Sequence, residues 1–130
     1  MSASFKPQGY NSVSPYLIVD GADATIKFLT TALDAKEIRR FPAPDGSGKV
    51  MHAEVRIDDT VLMIADRPSE WPQVPAHVHV YVPDVDASYK RALAAGAESV
   101  QEPVKKEDAD KRSGVRDAGG TTWWISTKLQ

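Results

Sequence analysis

The chain has 130 residues, 42% of them apolar, with 16 basic and 18 acidic side chains, a formal charge of −2 and no cysteine. That length suits one domain, residues 1–130, with enough apolar material for a core. The balanced charge leaves no footprint for nucleic acid or an anionic membrane, and the missing cysteines remove disulfides, thiolate nucleophiles and Cys-ligated zinc. No apolar run is long enough for a signal-peptide core or a membrane span, so the expectation is a cytoplasmic protein with neither nucleic-acid nor membrane partners.

Residues 1–12 are polar and turn-rich, with Pro7 and Gly9, and read as a partly loose entry arm. Val13 to Val19 is a strand candidate closed by Asp20-Gly21, and Ile26, Phe28, Leu29, Ala32 and Leu33 then recur at helical spacing, with Asp20 or Asp23 available as the cap. Lys36 to Phe41 reads as a short strand, Pro42 to Gly48 as a loop, and Lys49 to Ile57 as an alternating strand that turns at Asp58-Asp59 into Thr60 to Ala65. Residues 13–66 therefore form a first module of strand, helix and three strands.

Residues 67–75 contain three prolines and Trp71 and cannot continue a central strand, so they link this module to the next. The second module, residues 76–128, repeats the order. Ala76 to Val82 is a strand, and Asp84 caps a helix with Val85, Tyr89, Ala92 and Leu93 on one face. Gly96 ends that helix in a left-handed conformation. Glu98 to Gln101 is a short strand, Pro103 to Arg112 a charged loop, and Gly114 to Asp117 with Thr121 to Thr127 a closing hairpin around Ala118-Gly119-Gly120.

The duplication is visible residue by residue. Val19-Asp20-Gly21-Ala22-Asp23-Ala24-Thr25-Ile26-Lys27 returns as Val82-Pro83-Asp84-Val85-Asp86-Ala87-Ser88-Tyr89-Lys90, each copy closing a strand and opening a helix. A repeated unit in a short chain implies two similar halves packed together, with the work done between them.

Several side chains are candidates for chemistry. His52-x-Glu54 puts both groups on one strand face, and His77-x-His79 does the same on another. Glu54 with His52 could act as a general base and its neighbour if burial raises the carboxyl pKa, or Glu54 could pair with Arg56 or Arg40 across the sheet. Two His and a carboxylate could also make a facial metal triad of a cupin kind, but the two helices do not belong to that fold. Asp45-Gly46-Ser47-Gly48 lacks the ending of a phosphate loop and reads as a turn, and no nucleophile elbow is present. Trp123 and Trp124 must face opposite ways, one beneath the helices and one outward.

Two tandem βαβββ units at this length resemble the vicinal oxygen chelate superfamily, which includes glyoxalase I, bleomycin- and fosfomycin-resistance proteins and extradiol dioxygenases. Ser14-Pro15-Tyr16-Leu17, Met51-His52-Ala53-Glu54-Val55-Arg56-Ile57, Val80-Tyr81-Val82-Pro83-Asp84-Val85-Asp86-Ala87 and Gly114-Val115-Arg116-Asp117 with Gly120-Thr121-Thr122-Trp123 are similar to its small bacterial PhnB-like branch. The resemblance implies an α+β fold in which tandem βαβββ modules form a cupped, eight-stranded mixed sheet, usually as a homodimer. It also implies a ligand site inside the cup, where a metal binds adjacent substrate oxygens.

The family's metal-ligand positions, one on the first and one on the last strand of each module, fall on Ser14, Met63, His77 and Trp124. A set containing Met and Trp is a poor home for zinc, nickel or iron, so no metal or other cofactor is expected at those positions, and a divalent metal elsewhere remains the alternative. Trp124, taken as the tryptophan facing the cup, would with Met63, Tyr16 and Tyr81 make an adaptable aromatic wall for a flat molecule. Arg116, in the Gly-Val-Arg-Asp motif, could grip a carboxylate or phosphate, or pair with Asp117 or Glu54.

The expected ligand-binding set is Tyr16, His52, Glu54, Met63, His77, His79, Tyr81, Arg116 and Trp124. The reading that gains most from these residues is metal-independent binding of a small aromatic molecule. The competing readings are a lyase, isomerase or dioxygenase-like enzyme using Glu54, His52 and His77 or His79 with or without a metal, and a chain with an occluded cup that acts by dimerisation alone.

Overall fold

Each module opens on a short edge strand whose alternate side chains pass beneath a helix. In the computed structural model, which describes residues 5–105 and 109–129, the first such strand is β1 (Tyr16–Val19) and the second is β5 (His77–Tyr81). The full order is β1, α1 (Ala22–Leu33), β2 (Lys36–Pro42), β3 (Val50–Ile57), β4 (Thr60–Asp66), β5, α2 (Val85–Ala94), β6 (Glu98–Lys105), β7 (Asp110–Arg116) and β8 (Thr122–Lys128). The strands make two four-stranded mixed sheets, ordered β1-β4-β3-β2 and β5-β8-β7-β6. In each, the edge strand pairs in parallel with the last strand of its module and the remaining pairs are antiparallel. This is the expected α+β arrangement of two βαβββ modules.

A single apolar cluster draws on both modules. Leu17, Val19, Ala53, Val55, Leu62 and Ile64 of the first sheet and Val115, Trp123 and Ile125 of the second belong to it, together with Ile26, Leu29 and Ala32 of α1 and Val85 and Ala92 of α2. Strand alternation sends the neighbouring side chains to the opposite face of each sheet. That other face, turned away from the shared core, carries His52 and Glu54 on the first sheet and His79 and Trp124 on the second. Both sheets bend where an edge-side strand slips register, between Glu37 and Arg39 in β2 and between Ser99 and Gln101 in β6. Such bulges add curvature, and their matching positions give the two modules matching concave faces.

Four local expectations are corrected. The first strand begins at Tyr16 rather than Val13, since Pro15 has no N–H for the ladder and Val13 is 80% exposed. Neither Asp20 nor Asp23 caps α1. Asp20 pairs with Arg67, while Asp66 at the end of β4 accepts from Gly21 N (3.0 Å) and Ala22 N (2.9 Å) through one carboxylate oxygen and from Val50 N (2.7 Å) through the other. On α2, Asp84 does cap as expected, accepting from Ala87 N, and Gly96 follows with φ 103°, but Leu93 turns outward while Ser88 joins Val85 and Ala92 in the buried face. Finally, most of the charged stretch after Pro103 is strand: β6 runs to Lys105 and β7 starts at Asp110. Lys106, Glu107 and Asp108 of that predicted loop lie outside the described residues.

The closing turn has its own organiser. Asp117, 6% exposed, accepts from Gly119 N, Thr121 N and Trp123 Nε1 at 3.0, 3.1 and 2.9 Å, so it is not the partner of Arg116. No helix among the described residues is long and apolar enough to cross a membrane.

Candidate functional site

The expected site residues fall into two groups, one on each concave face. On the first face, β3 presents His52 and Glu54, β4 presents Met63 opposite Glu54, and the start of β1 presents Tyr16 opposite Met63. Glu54 is 7% exposed and receives three donors. Tyr10 donates its hydroxyl to Oε1, His52 Nε2 lies 2.9 Å from Oε2, and Arg39 Nε lies 3.4 Å from Oε1. Burial by itself would raise the Glu54 pKa, but the hydrogen bonds from Tyr10 and His52 and the charge of Arg39 outweigh it and hold the carboxyl below its ordinary range. Glu54 is therefore an ionised acceptor whose capacity is largely used.

The other ring nitrogen of His52, Nδ1, lies 3.3 Å from the Tyr16 hydroxyl, so Tyr16, His52 and Glu54 form a continuous hydrogen-bonded chain. Tyr16 and Phe41 flank the imidazole at ring-centre distances of 5.7 and 6.3 Å. The expected cross-strand partner of Glu54, Arg56 or Arg40, is replaced by Arg39. Arg40 turns to the helix side and binds Glu37 and Asp23, and Arg56 donates to Gly9 O.

On the second face, Trp124 lies flat across Gly114, its register partner on β7. A Cβ at Gly114 would stand 2.6 Å from the indole Cζ3, so only glycine leaves room for the ring in this pose. The indole Nε1 donates to His77 Nδ1 at 3.0 Å, and the two rings are nearly parallel, with centres 6.2 Å apart and 10° between planes. Deeper along β5 and β8 a polar array follows. His79 Nε2 and Arg112 Nε both reach Ser126 Oγ, at 3.0 and 3.1 Å, and Asp110 accepts from Tyr81 (2.8 Å) and Arg112 (3.3 Å). Partial burial and the neighbouring Arg112 charge lower the His79 pKa, with Asp110 opposing them. Arg116 is exposed and takes no side-chain partner among the described residues.

Sequence reasoning missed Tyr10, Arg39, Asp110, Arg112 and Gly114. Tyr10 sits in a segment with no strand or helix pattern, and Asp110 and Arg112 fall in a charged run that reads as solvent-facing. Gly114 looks like an ordinary strand glycine until Trp124 is seen on top of it. The two groups also differ from the single wall expected of Tyr16, Met63, Tyr81 and Trp124, because the first pair lies on one sheet and the second pair on the other. Among the described residues no three His, Asp or Glu side chains converge to hold a metal ion. Of the positions the resemblance points to, Ser14 lies ahead of β1, and Ser14, Met63, His77 and Trp124 offer a hydroxyl, a thioether, an imidazole already bound to an indole, and that indole, a donor set that does not suit a divalent cation.

Paired βαβββ modules, each a four-stranded mixed sheet backed by one helix, define a class of α+β proteins. The chain belongs to the Glyoxalase/Bleomycin resistance protein/Dioxygenase superfamily, whose sequence model matches residues 9–125. An uncharacterised protein of Mycobacterium bovis is 36% identical to it over 130 residues, covering 92% of this chain and 84% of the relative. The fold is similar to that of TioX from Micromonospora sp. ML1, with a TM-score of 0.71 and 24% identity over 92% of this chain and 98% of that one. It is also similar to the fosfomycin resistance protein FosX from Listeria monocytogenes, solved with Mn(II) and sulfate, with a TM-score of 0.69 and 17% identity over 92% and 93% of the two chains.

Proposed function

We propose that this protein, a member of the PhnB-like branch of its superfamily, binds a small, flat aromatic molecule in the cytoplasm without a metal, holding it against Trp124 on the second concave face. The observation that carries this reading is the indole laid over Gly114 and pinned by His77, a rigid platform at a family metal-ligand position. A fixed aromatic face offers stacking at little entropic cost, and His79, Ser126 and Arg112 beside it supply a polar end for orientation. The site is completed from the other side by a second copy of the chain. Supporting this, β1 and β5 are both edge strands, each without a strand partner on one side. In this homodimer, the first face of one protomer and the second face of its partner make one cup.

Titration of EDTA-treated protein with naphthalene-2-carboxylate, followed by calorimetry, tests the proposal. Saturable binding that Trp124→Leu weakens about tenfold or more is expected, the loss of one stacking contact. Binding that appears only after Mn(II) or Zn(II) is restored, or that survives the substitution unchanged, contradicts it.

A second reading has one specific observation in its favour. The Tyr16–His52–Glu54 chain is a carboxylate-oriented imidazole of the kind that moves protons. Under that reading His52 is the acid or base and Glu54 its positioning partner, and turnover of a substrate would be abolished in His52→Gln but only reduced in Glu54→Gln.

A further inference from the structure

The first concave face is already occupied by the chain itself. Residues 5–14 run across it, and Tyr10 reaches down so that its phenol donates to Glu54. A cleft of about 480 Å³ beside that contact is lined by Tyr10, Arg39, Glu54 and Met63 with other residues of the segment.

We infer that residues 5–14 are a displaceable strap and that the first half-cup is a site for a hydroxyaromatic molecule, whose phenolic hydroxyl takes the place of Tyr10 on Glu54. This rests on the reading that the concave faces take ligands, and it adds a second subsite with its own recognition chemistry and an internal competitor.

The strap has little to hold it. None of its residues enters the apolar core, and Phe5 and Val13 are 89% and 80% exposed. Besides Tyr10, its tethers include solvent-facing ones: Asn11 Nδ2 to Asp59 O and Thr60 Oγ1 at 3.3 and 3.1 Å, and Arg56 to Gly9 O at 3.3 Å. Exposed hydrogen bonds of this kind trade readily with water.

What the strap covers, by contrast, is built. Arg39 and His52 come from β2 and β3 and stay on Glu54 whether or not Tyr10 does. Removing Tyr10 leaves a buried carboxylate oxygen short of a donor, a costly state that a replacement hydroxyl relieves. The chemistry of the replacement follows from the charge. Glu54 is ionised, and its hydrogen bond and charge raise the Tyr10 pKa, so the pocket favours a neutral phenol over a phenolate or carboxylate. Met63 lines the cleft and supplies an apolar contact for the ring, and Tyr16 and Phe41 flank the adjoining His52.

The test uses full-length protein and 4-fluorophenol observed by ¹⁹F NMR, with 4-fluoroanisole as the analogue that cannot donate. A strap closed about nine-tenths of the time reduces apparent affinity about tenfold, so Tyr10→Ala should bind 4-fluorophenol about tenfold more tightly than the natural chain. In Tyr10→Ala, 4-fluoroanisole should bind at least about tenfold more weakly than 4-fluorophenol, and adding Glu54→Gln should remove that preference. Equal or weaker binding of 4-fluorophenol by Tyr10→Ala overturns the inference, because Tyr10 would then be a wall of the site and not its occupant. Should that variant fold poorly, Tyr10→Phe keeps the ring, removes the hydroxyl and carries the same comparison. Naphthalene-2-carboxylate binding at Trp124 is read separately, so loss of one result leaves the other standing or falling by itself.

Discussion

At the scale of single residues, the second face depends on a side chain that is missing. Gly114 lets the Trp124 ring lie on the β7 backbone, and a methyl group there would press on two indole carbons at 2.6 and 2.8 Å. Gly114→Ala should therefore lift the indole off its platform, at a cost of about 1–3 kcal/mol in urea unfolding, and weaken stacking ligands while the fold persists. Near-UV circular dichroism reports the ring movement directly. His79 carries a second prediction. Its folded pKa lies below the ordinary 6.5, so as pH falls through about that value the unfolded chain takes up a proton that the folded chain does not. Stability should decline from pH 7.5 toward 5.5, and His79→Gln should flatten the decline in urea midpoints. Strand alternation made one of Trp123 and Trp124 buried and the other outward, and the ligand position implied by the resemblance chose Trp124 as the outward one, with Trp123 buried. The partner of Glu54 was not legible: the slip between Glu37 and Arg39 reverses which side chains of β2 face the cup, and nothing in the local composition marks it.

At the scale of elements, the repeat in the sequence located both helices but not the way the first is anchored. Asp84 caps α2 from its own strand–helix turn, whereas α1 starts at Gly21, φ 84°, and borrows Asp66 from β4. The same carboxylate holds the first residue of β3, so one side chain ties three elements together. Asp66→Ala should cost about 2–4 kcal/mol, more than loss of an ordinary helix cap, because three backbone donors lose their acceptor at once. Hydrogen exchange should accelerate at Gly21, Ala22 and Val50 and change less in α2. The entry arm shows the limit of pattern reading. Its polar, turn-rich composition correctly says that it adds nothing to the core, and says nothing of where Tyr10 lands.

At the scale of the whole molecule, the fold was largely readable because duplication constrains it: two copies of one module must share a core, and α1 and α2 with the backs of both sheets do so. The concave faces were harder to assign, since sequence gives each strand a face but not the sheet that faces it. Candidate residues that read as one site lie on two faces, and the four of the expected aromatic wall divide two and two between the sheets. The proposed homodimer reunites them, and sedimentation velocity should then give twice the 14.2 kDa of one chain. Ligand binding should weaken in step as dilution shifts the mass toward one chain.

The most direct test of the account is the calorimetric titration of EDTA-treated protein with naphthalene-2-carboxylate, natural chain against Trp124→Leu. Saturable binding without metal that falls about tenfold or more when the indole is removed is expected. Binding that requires an added divalent cation, or that is indifferent to Trp124, would contradict it.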